Sequence, residues 1–101
     1  MNTDQLVETA RSRFDHEAQR RVLKEKYQAK MLFAYAGGMW QAGPELLALL
    51  ASCAASSAVI LDLYDTPVRV DVEQLRAIAQ QRWQEQMTAW LIEHEESQKR
   101  R

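Results

Sequence analysis

The segment Val59-Ile60-Leu61-Asp62-Leu63-Tyr64-Asp65-Thr66-Pro67-Val68-Arg69-Val70-Asp71-Val72 decides the fold class. Two alternating, β-branched runs flank an Asp-Thr pair, and the pattern reads as an antiparallel hairpin. With a two-residue turn at Asp65-Thr66, Leu63 faces Val68, Leu61 faces Val70 and Val59 faces Val72, so six apolar residues share one face. The other face pairs Asp62 with Arg69 and Tyr64 with Pro67. A one-residue slip would scramble both faces, so their agreement favours this register. Asp-Thr is a poorer turn pair than Asn-Gly, which leaves a four-residue turn as the alternative. Pro67 cannot donate to a ladder and belongs at a strand start or on an edge.

A second hairpin precedes it. In Met31–Ala42 a Gly-Gly pair separates two apolar runs. Glycine reaches positive φ without steric cost, so Gly37-Gly38 reads as a two-residue turn. Ala36 then faces Met39 and Tyr35 faces Trp40, with Phe33 and Ala42 on the same side as that aromatic pair. Between the hairpins, Gly43-Pro44 stops the strand and opens a short helix over 44–56. Pro44 suits the first turn, Glu45 complements the dipole there, and Leu46, Leu47, Leu49, Leu50, Cys53 and Ala54 make the helix apolar on most sides, hence buried.

Long helices flank this centre. Over 4–30, Leu6, Val7, Ala10, Phe14, Ala18, Val22, Leu23 and Tyr27 recur at spacings of three and four, with Thr3 or Asp4 to cap the start. Over about 72–98, the stripe is Leu75, Ile78, Ala79, Trp83, Met87, Trp90, Leu91 and His94. Asp71 is its N-cap, with Gln74 as a capping-box partner. The order helix, hairpin, helix, hairpin, helix makes residues 1–101 a single α+β domain, with 4–30 as a protruding helical arm. No internal repeat beyond this loose symmetry, no low-complexity tract and no linker interrupts it.

Composition narrows the function. The chain has 101 residues, 47% hydrophobic and 27% charged, with a net charge of −1, which excludes a disordered polymer and a polycation built to coat nucleic acid. No apolar run reaches the 18 or more residues of a membrane span, so no membrane is expected as partner. The start Met1-Asn2-Thr3-Asp4 is unlike a signal peptide, and the single Cys53 forms no internal disulfide and fits a reducing compartment.

Catalytic signals are missing. His16 and His94 sit on different helices without metal-ligand spacing, Cys53 lies among Ala and Leu, and Asp62, Asp65 and Asp71 are accounted for by pairing, turn and cap. No catalytic residue, metal or cofactor is therefore assigned, and the chain is not expected to be an enzyme. Through residue 30, seven basic and five acidic groups leave +2, and residues 31–98, with three and nine, carry −6. Arg20, Arg21, Lys24 and Lys26 are the candidate anion-binding cluster, for phosphates or an acidic partner, although a solvated helix face explains them more simply.

The tryptophans point elsewhere. Trp83 and Trp90 share a helix face with Met87, and Trp40 sits on the first hairpin. Trp, Tyr and Met are enriched at protein interfaces. Each terminal helix is about 40 Å long, too long for a 100-residue fold with a radius of gyration near 13 Å. Either the helices pair as an arm or another chain completes their stripes. Trp40, Trp83, Met87 and Trp90 are the candidate partner-binding residues, with the chain itself or another protein as partner.

Three stretches also carry a resemblance. Lys30 to Leu46 (KMLFAYAGGMWQAGPEL), Asp62 to Val70 (DLYDTPVRV) and Ala89 to Glu95 (AWLIEHE) resemble small uncharacterised proteins of myovirus-like tailed phages, including cyanophages, over about residues 20–101. The shared motifs are structural, and Asp65-Thr66 stands where an Asn- or Gly-rich turn is usual. The resemblance implies a phage structural or assembly protein of the virion or the host cytoplasm. The alternative is a small nucleic-acid-associated or regulatory protein using the basic first helix.

Overall fold

A computed structural model describes residues 3–99, the side chains of Thr9 and Ser12 excepted. Its elements are α1 (Thr3–Lys30), β1 (Leu32–Tyr35), β2 (Gly38–Gln41), α2 (Pro44–Ser52), β3 (Ser57–Leu61), β4 (Pro67–Asp71) and α3 (Val72–Lys99). The fold is α+β in the expected order, and each hairpin is its own two-stranded antiparallel sheet. With α1 starting at Thr3, the position that would cap it lies outside the described residues.

The first hairpin turns one residue earlier than expected. Tyr35 pairs with Gly38 and Phe33 with Trp40, so the turn is Ala36-Gly37, at φ 52° and 81°. Two successive positive φ angles are those of a primed hairpin turn. Gly38 serves a different need: a Cβ there would lie 3.2 Å from Asp62 Cβ and from Trp40 Cζ2. The register moves by two residues, so the inward face survives and only the partners change. Phe33, Trp40 and Ala42 are buried on it, and Trp40 Nε1 donates to Tyr35 O at 2.9 Å.

The second hairpin corrects the expected register more deeply. Ile60 pairs with Val68, Ala58 with Val70 and Leu61 with Pro67. The shift is odd, so β3 presents its opposite face: Ile60 is 9% exposed and Val59 54%. The cause is a loop over 62–66 in place of a two-residue turn. Asp62 Oδ1 accepts the backbone N–H groups of Tyr64 and Thr66, both at 2.9 Å, and Asp62 N–H donates to Thr66 O at 2.9 Å. The carboxylate is committed to its own loop, and the expected Asp62–Arg69 pair does not form.

That loop also joins the two sheets. Asp62 Oδ2 accepts Met39 N–H at 3.1 Å, and Leu63 N–H donates to Met39 O at 2.8 Å. Met39 thus extends the first sheet's hydrogen bonding to residues 62 and 63.

The short helix ends at Ser52 rather than 56. Leu50 O accepts Cys53 N–H at 3.2 Å and Arg76 Nη2 at 2.9 Å, while Leu49 O accepts Ser52 Oγ at 2.6 Å. Two of its last four carbonyls are satisfied in this way, and Cys53 leaves in an extended conformation. Nor is this helix buried all round: Leu50 is its buried residue, whereas Leu49 faces solvent. In α3, Asp71 Oδ1 accepts Gln74 N–H at 3.0 Å as the expected cap. The capping box does not close, because Gln74 Oε1 accepts Tyr35 O–H at 2.7 Å instead. Val72, Leu75 and Ala79 join the core against Met31, Phe33, Trp40, Leu50 and Val70.

The terminal helices lie antiparallel. Tyr27 is 3% exposed, stacks on Trp90 at 5.8 Å between ring centroids, and donates to Glu93 Oε1 at 3.0 Å. Lys26 Nζ reaches the same carboxylate oxygen at 2.6 Å, and Ser97 Oγ donates to Gln19 Oε1 at 3.3 Å. The molecule measures 64 × 24 × 22 Å, with a radius of gyration of 19.2 Å, well above the value for a globular chain of this length. The expected single stripe of α1 is really two: Tyr27 and Leu23 turn toward α3, while Leu6, Val7, Phe14 and Val22 are exposed.

Candidate interaction cleft

Trp83, Met87 and Trp90 follow one another at intervals of four and three, so helical geometry places them on one face of α3. Across from them α2 supplies Leu46 and Leu49. Met31 just before β1, Trp40 of β2 and Ala42 just after it contribute next, and Leu61 at the end of β3 and Leu63 beyond it complete the lining. Together they enclose a cleft of about 830 Å³. Among the described residues its ionisable lining is Glu45 and Asp62, with no Lys, Arg or His.

Three of the four expected partner-binding residues, Trp83, Met87 and Trp90, are half-buried in the walls. Trp40 lines the same cleft at 2% exposure, so its indole belongs to the floor and to the core beneath it. Sequence reasoning missed Leu49, Leu61 and Leu63. Periodicity had placed all three in the core; the Asp62 loop and the register it sets leave Leu61 and Leu63 exposed, and Leu49 lies on the exposed side of α2.

The candidate anion-binding residues divide. Arg20, Arg21 and Lys24 are exposed on α1, whereas Lys26 is held by Glu93 and lies 5.3 Å from the Tyr27 ring centroid. A second concavity, of about 920 Å³, lies between α1 and the end of α3 and includes Glu8, Asp15, His16, Glu93 and Glu96. Among the described residues no group of three or more His, Cys, Asp or Glu is placed to hold a metal ion. Cys53 Sγ contacts Leu49 O at 3.4 Å. No helix among the described residues is long and apolar enough to cross a membrane. No family model, curated protein or solved structure matches the chain.

The cleft's rim at Asp62 and the contact between α1 and α3 at Glu93 are held by electrostatics that acid should weaken. The Thr66 backbone N–H, helped by those of Met39 and Tyr64, keeps the Asp62 carboxyl below the usual carboxylate value against the opposing effect of burial. Lys26 does the same for Glu93. Both groups bind a proton more readily in the unfolded chain. Their contribution is therefore complete above the ordinary carboxylate pKa values and is lost as pH falls through them toward the lowered folded values. Thermal melts should show a falling acid limb, and Asp62→Asn should flatten it while lowering stability at neutral pH. An unchanged acid limb would mean that Asp62 is not held as described.

Proposed function

We propose that this chain is a non-enzymatic protein–protein interaction module that seats an apolar segment of a protein partner in the cleft. The observation that carries the reading is the cleft itself: Trp83, Met87 and Trp90 stand together, ringed by the solvent-facing Leu49, Leu61 and Leu63. Aromatic residues and Met are enriched at protein interfaces, and their energetic anchors cluster in well-packed pockets. The resemblance to tailed-phage proteins supports a virion structural or assembly role, in the particle or the host cytoplasm.

Intrinsic tryptophan fluorescence tests the docking role. Titration with amphipathic helical peptides carrying Leu and Phe anchors should give a saturable blue shift that Leu63→Lys removes. No saturable response from any such peptide would remove the reading. For the assembly role, mass spectrometry of purified particles and of their assembly intermediates should find the chain; absence from both would count against it.

The alternative, a nucleic-acid-associated or regulatory role, draws on the exposed Arg20, Arg21 and Lys24. It predicts binding that weakens steeply with salt, and a low-salt shift assay with no shift rejects it.

A further inference from the structure

We propose that the outer edge of β3 is a strand-addition site, filled by β3 of a second copy of this chain, so that two hairpins join into one four-stranded antiparallel sheet. The inference goes beyond the docking role of the cleft: it uses the backbone of β3 and shares with the cleft only the side chain of Leu61. Among the described residues β3 pairs with β4 alone. Hydrogen bonds at the two ends of that ladder set its phase. Val72 N–H donates to Ser56 O, and Asp62 N–H donates to Thr66 O, both at 2.9 Å. Ladder bonds recur at every second residue, so Ala58 and Ile60 turn their backbone groups toward β4. The N–H and C=O groups of Ser57, Val59 and Leu61 therefore point out of the sheet edge. Leu63 is next in that series, and its N–H is taken by Met39 O. Ser57, Val59 and Leu61 are all exposed, Val59 at 54% and Leu61 at 58%.

The two outer edges of this hairpin are not alike. A free strand edge is ordinarily guarded by charge or by proline. On β4 the outward groups belong to Pro67, Arg69 and Asp71, so a donor is missing and charges flank the edge. Pairing β4 with its own copy about Arg69 would set one guanidinium against another. On β3 no such guard exists: no charged residue and no proline lies between Glu45 and Asp62.

The β3 edge is also complementary to itself. With two copies antiparallel about a two-fold axis at Val59, Val59 of one faces Val59 of the other, and each Ser57 faces the other's Leu61. These are the outward-facing positions, so two N–H···O bonds close at Val59 and two more at each Ser57–Leu61 pair. Directly opposite residues share a face of the sheet. Ala58 then meets Ile60 on the core side, the exposed Val59 and Leu61 side chains line up on the outer side, and no like charges are brought together. The added strand ends at Ser57, because the chain bends at 55–56. It thus stops level with Leu61, short of Leu63, which Met39 already holds. A second copy meets the edge with the parity, length and neutrality it requires. A two-stranded sheet is marginal by itself, and this contact doubles the strand number. The same patch is used by both copies, so the assembly closes as a dimer.

Sedimentation of the full chain at rising concentration should show a monomer–dimer equilibrium. Residue-resolved amide hydrogen exchange should show protection at Ser57, Val59 and Leu61 that rises with the dimer fraction, while Ala58 and Ile60 are protected throughout. Val59→Lys and Val59→Glu change an exposed side chain and leave the β3–β4 ladder intact. Each sets like charges face to face at the axis and should raise the dimer dissociation constant at least about 10-fold. An equimolar mixture of the two should restore dimers, because the introduced ammonium then faces the introduced carboxylate; this rescue requires position 59 to face itself. A wild type that stays monomeric at high micromolar concentration, a dimer whose Ser57, Val59 and Leu61 amides exchange as fast as in the monomer, or a mixture that stays monomeric would overturn the proposal. The peptide titration reads the cleft separately, so the failure of one reading leaves the other standing.

Discussion

Trp40→Ala should cost about 3–5 kcal/mol of folding stability, the range for truncating a large buried aromatic. Small domains hold about 5–15 kcal/mol in all, so the variant should be unfolded in a large fraction of molecules or melt far earlier. The size of the effect follows from its place: Trp40 is buried against both hairpins, α2 and α3, and donates to Tyr35 O. In urea titration the midpoint should fall sharply while the slope is retained. Trp40→Phe keeps most of the ring but leaves the part-buried Tyr35 carbonyl without its donor, and should cost about 1–3 kcal/mol. A loss below about 1 kcal/mol for Trp40→Ala would contradict its position at the centre of the core.

The two adjacent glycines should respond oppositely to substitution. Gly38→Ala places a Cβ 3.2 Å from Asp62 Cβ, Asp62 Oδ2 and Trp40 Cζ2. Asp62 is tied by three backbone N–H groups and Trp40 is packed on all sides, so neither can give way cheaply. Overpacking of this kind costs about 1–3 kcal/mol. Gly37 has open space around it and a φ of 81°, so its demand is conformational. Gly37→Asn should be nearly neutral, because Asn tolerates the left-handed region, whereas Gly38→Asn should be worse than Gly38→Ala. Chemical denaturation of the three variants decides it. Greater damage at Gly37 would place the crowded position wrongly.

These glycines also show where sequence reading stops. A Gly-Gly pair announces a turn by its tolerance of positive φ, and the turn is there. It cannot reveal that one of the two, Gly38, is needed for a close approach by the distant Asp62. The first hairpin's inward face was legible because its aromatics Phe33, Tyr35 and Trp40 fall on one face, with Ala34 and Gln41 on the other. The second hairpin was not: Ala58, Val59, Ile60 and Leu61 are apolar at both parities, so a period of two selects no face. Its register was decided by the Asp62 loop. The cleft was half legible for the same reason. Trp83, Met87 and Trp90 declare a common face by spacing, while Leu49, Leu61 and Leu63 look like core residues until their neighbours are known.

By itself the sequence determined the elements and their order: both long helices, the break at Gly43-Pro44, the cap at Asp71 and the presence of two hairpins. Those outcomes follow from dihedral preference, capping chemistry and periodicity, which act within a few residues. Tertiary structure alone decided the strand faces, the division of α1 between a side covered by α3 and an uncovered side, and the opening of the cleft. Each depends on contacts between distant residues, such as Met39 with Asp62 and Tyr27 with Glu93. An apolar residue carries the same local signal whether a remote segment covers it or leaves it facing solvent.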